Sequence, residues 1–277
     1  MIYALSMSKA LQIIIPSLIL FVLALLFAVA LAYLGKKLAV NRDERIDSVL
    51  SRLSGANCGG CGYPGCDGFA TALVEGKAKL SECAATSREA KEEIAEILGV
   101  SDTGEATRVV VCCCGGNDAK DKYDYMGYGD CRSMELLAGG RKQCNLGCLG
   151  MGSCVDACPE HAVEVNMRGY SEIHQHKCIS CGRCITACPK KLIKRVPQSA
   201  KYFVACSNHQ KGKEVREICA KGCIACGLCV KSCEFGAISV VDDLAVIDYT
   251  KCTGCGKCAA KCPRGCILEI VDKPQAK

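Results

Sequence analysis

The longest apolar run in the chain is Ala10 to Leu34, ALQIIIPSLILFVLALLFAVALAYL, and it carries no charge. As a helix it would span roughly 37 Å, against about 30 Å of bilayer hydrocarbon. Pro16 falls a turn or so inside the start, where a missing amide hydrogen bond is best tolerated. Ala28-Val29-Ala30 also resembles the small-x-small site of a cleaved signal peptide. Against cleavage, the apolar run is too long and only Lys9 flanks it on the amino-terminal side. Lys36, Lys37, Arg42 and Arg45 follow the run, so the positive-inside rule places everything after it in the cytoplasm. The pattern predicts a retained single-pass anchor over residues 1–36.

The next periodic stretch, DGFATALVEGKAKL at 67–80, sets Phe69, Ala72, Leu73 and Leu80 at helical spacing. Thr86-Ser87-Arg88-Glu89 reads as a capping box opening a short helix that ends at Gly99. SDTGEA, residues 101–106, reads as a linker, and a new unit begins near Arg108. VVVCCCGGN at 109–117 and YFVACSNH at 202–209 are strand-like runs that end in cysteine and polar turn residues. These boundaries predict a helical domain over 37–99, a spacer unit over 100–143, and two further modules over 144–197 and 198–277.

Cysteine changes the picture most: there are 27 in 277 residues, whereas the net charge of +6 and the absence of Trp add little. Disulfide scaffolds are short, secreted and even in cysteine, and this chain is long, odd and full of C-x-x-C pairs. Zinc sites come as two separated knuckles rather than as four thiols in eleven residues, the density of CISCGRCITACP at 178–189. An iron–sulfur cube offers several metal corners, so three thiolates from one tight loop can each take one while a fourth arrives from elsewhere. Such thiols must stay reduced, which agrees with the cytoplasmic side given by the basic flank.

Three cysteine modules follow the anchor. The first is NCGGCGYPGC with Cys83, giving C-x2-C-x4-C-x16-C through Cys58, Cys61, Cys66 and Cys83, with structural zinc as the alternative occupant. Gly60, Gly62 and Gly65 match G-x-G-x-x-G, but no strand precedes them, so a nucleotide site is rejected. The second module reads CNLGCLGMGSCVDACPEHAV and CISCGRCITACPKKLI; the third reads CAKGCIACGLCVKSCEFGAI and CTGCGKCAAKCPRGCI. Their half-modules share one frame, in Cys158-Pro-x-x-Ala162, Cys188-Pro-x-x-Leu192, Cys233-Glu-x-x-Ala237 and Cys262-Pro-x-x-Cys266. Cys266 thus holds a small apolar packing position and is left out of the site.

This is the signature of bacterial two-cluster ferredoxins, in which the fourth cysteine of each run serves the other cluster. The expected sets are Cys178, Cys181, Cys184 with Cys158; Cys144, Cys148, Cys154 with Cys188; Cys252, Cys255, Cys258 with Cys233; and Cys223, Cys226, Cys229 with Cys262. Two points stay open. The run Cys144, Cys148, Cys154, Cys158 is irregularly spaced, and the third module contains both that spacing, through Cys219, and the standard one, through Cys226. Cys226 is favoured because the standard loop needs no distortion. Cys112, Cys113, Cys114, Cys131, Cys206 and Cys219 remain. Either they are buried free thiols, the commoner case, or one of Cys112 to Cys114 joins Cys131, Cys206 and Cys219 in an extra site. The chain is therefore expected to hold five 4Fe-4S clusters, or six with that site. The four histidines show no Rieske-type spacing with cysteine.

No substrate pocket, flavin motif, catalytic dyad or nucleic-acid signature is legible, so the reading is electron conduction to or from a membrane. The fold class is α+β: one N-terminal transmembrane helix, a small helical 4Fe-4S domain and two tandem ferredoxin modules. Lys190, Lys191, Lys194, Arg195, Lys201, Lys211, Lys213 and Arg216 crowd the link between the modules and are a candidate docking patch for an acidic ferredoxin. The helix, CGGCGYPGC with Cys83, and tandem ferredoxin modules together resemble the B subunits of Rnf complexes, the ion-translocating ferredoxin:NAD oxidoreductases of bacteria. The resemblance spans nearly the whole chain. It implies a subunit of the inner membrane that takes electrons from reduced soluble ferredoxin and relays them, alongside flavoprotein and membrane subunits, toward NAD while sodium or protons are exported. A freestanding membrane-anchored polyferredoxin is the alternative. Glu234 departs from the usual proline after the last cysteine of a run.

Overall fold

The structure, a computed structural model, describes residues 2–37, 42–101 and 106–272, with first-helix side chains described from Ile14 onward except Lys36. The middle of the expected 101–106 linker and part of the basic stalk lie outside the described residues. The chain forms two compact units, one up to Glu44 and one from Arg45 onward.

The first unit is the helix α1 (Ile2–Lys37). Leu18, Phe21, Leu26, Phe27 and Leu31 point in different directions around it and each exposes more than half its surface. A soluble helix would bury one stripe; here the window Ile14–Gly35, with mean hydropathy 3.0, is 0% buried, which suits hydrocarbon and not water. The helix begins well before Pro16, so that proline sits in its interior, not its first turn, and one intrahelical hydrogen bond is missing there.

The second unit opens with α2 (Glu44–Arg52), whose buried Ile46 and Val49 pack on Phe69, Leu73, Leu80 and Ile94. α3 (Cys66–Val74) stops sooner than its periodicity predicts, because Gly76 turns the chain at φ 70°. Cys83 therefore follows a separate 3-10 turn, Leu80–Glu82, beyond the end of α3. α4 (Arg88–Leu98) is capped by Ser87, whose hydroxyl accepts from Ala90 N at 3.2 Å, and ends at left-handed Gly99. Thr86, one residue from the cap, has its hydroxyl 3.2 Å from Cys83 Sγ instead.

Two ferredoxin folds follow. In the first, β1 (Thr107–Val111), α5 (Cys131–Leu136), α6 (Ser153–Asp156), β2 (Val163–Val165), β3 (Ser171–Ile173), α7 (Arg183–Ala187) and β4 (Ile193–Pro197) succeed one another. The second comprises β5 (Tyr202–Val204), α8 (Gly212–Ile218), α9 (Leu228–Lys231), β6 (Ile238–Val241), β7 (Leu244–Ile247), α10 (Lys257–Ala260) and β8 (Ile267–Glu269). In each fold the first strand pairs antiparallel with the last, Val109 opposite Arg195 and Phe203 opposite Leu268, and the middle strands form a hairpin. The duplication thus includes the strands that precede the cysteine loops.

Two-stranded ribbons are marginal alone. A shared core supports these: Cys113, Cys114, Cys148, Tyr170 and Leu192 of the first fold pack with Ala205, Cys223, Ile238, Leu244 and Ile267 of the second. The CCC triplet continues β1 across the seam. Cys112 N donates to Leu192 O at 2.7 Å in the first fold, and Cys114 N donates to Ala205 O at 3.1 Å in the second. Ser207 Oγ donates to Cys112 O at 3.0 Å from the other side.

Candidate metal centres

The half-module frame has a structural reason. The amide of its small apolar residue donates to the cysteine sulfur four residues earlier, Ala162 N to Cys158 Sγ and Ala237 N to Cys233 Sγ, both at 3.3 Å. Such N–H···S bonds favour a thiolate ligand. Each loop also carries left-handed residues at fixed places: Ser180 and Gly182 around Cys181, Ala225 and Gly227 around Cys226, Gly254 and Gly256 around Cys255. These bends turn three successive sulfurs inward.

Three expected sets come together. Cys158, Cys178, Cys181 and Cys184 are neighbours; burial, then the repulsion of the other thiolates, pushes Cys184 up to about 12. Cys233, Cys252, Cys255 and Cys258 line one hollow, and Cys223, Cys226, Cys229 and Cys262 line another. Cys219 stands elsewhere. Cys266 is 1% exposed, and its sulfur lies 3.7 Å from Cys262 Sγ. Its thiol hydrogen-bonds Cys223 and Cys262, lowering them to about 6 and about 5.

The fourth ferredoxin set departs from the expected one. The hollow holding Cys148, Cys154 and Cys188 is completed by Cys131, not by Cys144. Met151, flanked by left-handed Gly150 and Gly152, occupies the place of Cys181, Cys226 and Cys255 in the other loops. Cys131, at the first turn of α5, fills the gap from the spacer; Asp130 caps that helix and Cys131 N donates to Ser153 Oγ at 2.9 Å. Cys144 lines a different hollow with Cys113, Cys206 and Cys219. The six leftover thiols thus divide: Cys131 joins the first ferredoxin fold, Cys113, Cys206 and Cys219 meet Cys144, and Cys112 and Cys114 pack in the core.

In the helical domain, Cys61 lies beside Cys83 and Cys58, and burial raises its pKa. Cys66 opens α3, its amide donating to Asn57 Oδ1 at 2.8 Å. Among the described residues no three His, Cys, Asp or Glu side chains stand at single-ion spacing. The chemistry of the donor sets, four thiols around a hollow, fits a cluster of several irons. Gly60 presses on the first ferredoxin fold: a Cβ there would collide with Cys181 O. Gly60→Ala should therefore keep its iron but lower stability by about 1–3 kcal/mol, read as an earlier thermal loss of visible absorbance.

The basic link needs a correction. Lys190 is 7% exposed, not part of a docking face: Nζ donates to Gly139 O and Asn145 O, both at 2.6 Å, and pairs with Glu135. Arg195 donates to Ser180 O at 2.7 Å. Arg195 is nevertheless exposed, as are Lys191, Lys194, Lys201, Lys211, Lys213 and Arg216.

Fold and sites together define an iron–sulfur protein of the ferredoxin class with an N-terminal apolar helix. Family models agree: a putative Fe-S cluster model matches residues 53–85, an LdpA Fe-S cluster-binding domain 144–199, and 4Fe-4S dicluster domains 177–237 and 222–267. The chain is 41% identical over 257 residues to the B subunit of the Na(+)-translocating ferredoxin:NAD(+) oxidoreductase complex of Acetobacterium woodii, covering 92% of this chain and 77% of that one. It is 40% identical to the B subunit of the ion-translocating oxidoreductase complex of Methanosarcina acetivorans, covering 81% and 86%. The proton-translocating counterpart of Clostridium ljungdahlii is also 40% identical, covering 83% and 82%. This chain belongs to the family of B subunits of ion-translocating oxidoreductase complexes, and its helix and family make it membrane-associated.

Proposed function

We propose that this protein takes electrons from reduced soluble ferredoxin and relays them through 4Fe-4S clusters toward membrane and NAD-binding flavoprotein subunits, where the fall in potential drives sodium or proton export. The observation that carries the reading is the succession of four-thiol sets from the helical domain to the last ferredoxin fold. In this reading clusters are held by Cys58, Cys61, Cys66, Cys83; by Cys158, Cys178, Cys181, Cys184; by Cys131, Cys148, Cys154, Cys188; by Cys233, Cys252, Cys255, Cys258; and by Cys223, Cys226, Cys229, Cys262. When bound, such clusters supply reversible one-electron storage at low potential. The chain's own work is to bury the thiols, donate N–H bonds to their sulfurs and keep the sites in line. The helix spans the membrane once, with the cysteine domains on the cytoplasmic side, as the basic flank supports.

Cys226 and Cys255 are exposed, so the last fold offers its sites to a soluble donor. The test is to extract the chain from membranes in mild detergent under anaerobic conditions. Flavin-bearing subunits are expected to co-purify, and reduced ferredoxin to bleach the visible absorbance; a chain isolated alone, yet still bleached, would point to the freestanding polyferredoxin. Lys191→Glu with Lys194→Glu should slow bleaching at low salt, with the difference fading above about 0.15 M salt, where screening takes over. An unchanged rate at low salt would remove those lysines from the docking face.

A further inference from the structure

We propose that Cys113, Cys144, Cys206 and Cys219 hold a further iron–sulfur cluster at the seam of the two ferredoxin folds, bridging their paired sites into one continuous relay. The inference rests on the iron–sulfur reading of the other sets.

The four residues come from four separate segments yet line one hollow, with Gly115, Ala119, Asn208 and Lys221 beside them. The hollow has a volume of about 20 Å³, as do the three hollows lined by the four-thiol ferredoxin sets. Cys113, Cys144 and Cys219 are buried and Cys206 is half-buried. Of the CCC triplet, Cys113 lines the hollow, whereas Cys112 packs with Val110, Val196 and Ala200 and Cys114 packs in the shared core.

Duplication makes the site. Aligning VVVCC with YFVAC equates Cys113 with Cys206, and the two runs spaced x3 equate Cys144 with Cys219, each four residues before Cys148 or Cys223. The equivalence extends to hydrogen bonds. Cys148 N donates to Cys113 Sγ and Cys223 N donates to Cys206 Sγ, both at 3.3 Å. Asn208 Nδ2 adds a donor to Cys144 Sγ at 3.5 Å. Each fold thus contributes one matched pair of thiols, and neither alone has four.

The same two amide bonds fix the order of the relay. Cys148 belongs to the set with Cys131, Cys154 and Cys188, and Cys223 to the set with Cys226, Cys229 and Cys262, so the seam site touches one set of each fold. At the far side of the first fold, Cys154 neighbours Cys184, and Cys181 neighbours Cys58 of the helical domain. The path from the exposed end is therefore Cys255, Cys226, seam, Cys148, Cys184, Cys61, naming one thiol from each set. At the seam one electron arrives from a low-potential cluster on one side and one leaves to the cluster on the other. No bond forms or breaks and no proton moves.

The test uses the full chain, purified anaerobically. Wild type should contain about 24 irons with matching sulfide, and Cys206→Ser about 20, whereas Cys112→Ser should stay near 24. With photoreduced two-cluster ferredoxin as donor, bleaching should be a single phase in wild type. In Cys206→Ser it should split into a fast fraction and a slow remainder. A wild type with about 20 irons, or a Cys206→Ser protein that keeps its iron or bleaches in one phase, would overturn the bridge. Should Cys206→Ser fail to fold, the wild-type iron and sulfide counts decide alone. Zinc in place of iron throughout would sink the underlying iron–sulfur reading instead, a distinguishable result.

Discussion

Replacing Cys131 by alanine is expected to strip the first ferredoxin fold of one cluster and leave the second fold whole. The loss should be about four irons per chain, or one if a three-iron remnant persists. The reason lies in the loop from Cys148 to Cys154. Its backbone bends at Gly150 and Gly152 just as the standard loops bend at Ser180 and Gly182 or Ala225 and Gly227, but Met151 stands where those loops carry their second cysteine. Cys131 takes that role from α5, lining the hollow with Cys148, Cys154 and Cys188. Adding Met151→Cys to Cys131→Ala should restore the missing irons, since it rebuilds the standard spacing. Had the run from Cys144 been the ligand loop, Cys131→Ala would be silent. Iron and sulfide analysis with electron paramagnetic resonance of the reduced protein separates the two outcomes.

The standard loops are legible in the sequence because their ligands are local: spacing alone brings three sulfurs to one side, and the frame residue supplies the N–H···S bond. The sets holding Cys131 and Cys144 are not, because each depends on a thiol delivered across the fold from the spacer, and spacing says nothing about that. A usable signal does exist. Superposing the half-modules places Met151 on Cys226 and Cys144 on Cys219, which already separates Cys144 from its neighbours in the run. The helical domain shows a smaller lesson of the same kind. The periodicity of 67–80 is real, yet Gly76 breaks the helix and a 3-10 turn presents Cys83. Among the basic residues of the link, sequence carries charge and not burial, so Lys190 reads as part of a surface it does not join.

That lysine carries the second large effect: Lys190→Ala should cost roughly 3 kcal/mol, whereas Lys191→Ala should stay within about 0.5 kcal/mol. Lys190 follows Cys188-Pro189 and sends its amine under the spacer, where it ties Gly139 O and Asn145 O and faces Glu135 2.6 Å away. Removing it leaves two carbonyls and a half-buried carboxylate without their cation, and breaking a buried pair on one side is the costly way to break it. The carbonyls flank Cys144 in the chain, so the same substitution should loosen that thiol. Lys190→Met keeps the stem's packing but no donor and should recover little of the loss. Thermal loss of visible absorbance, followed anaerobically for the three variants, measures this. A Lys190→Ala protein as stable as Lys191→Ala would mean that the amine is solvated and free to serve the surface after all.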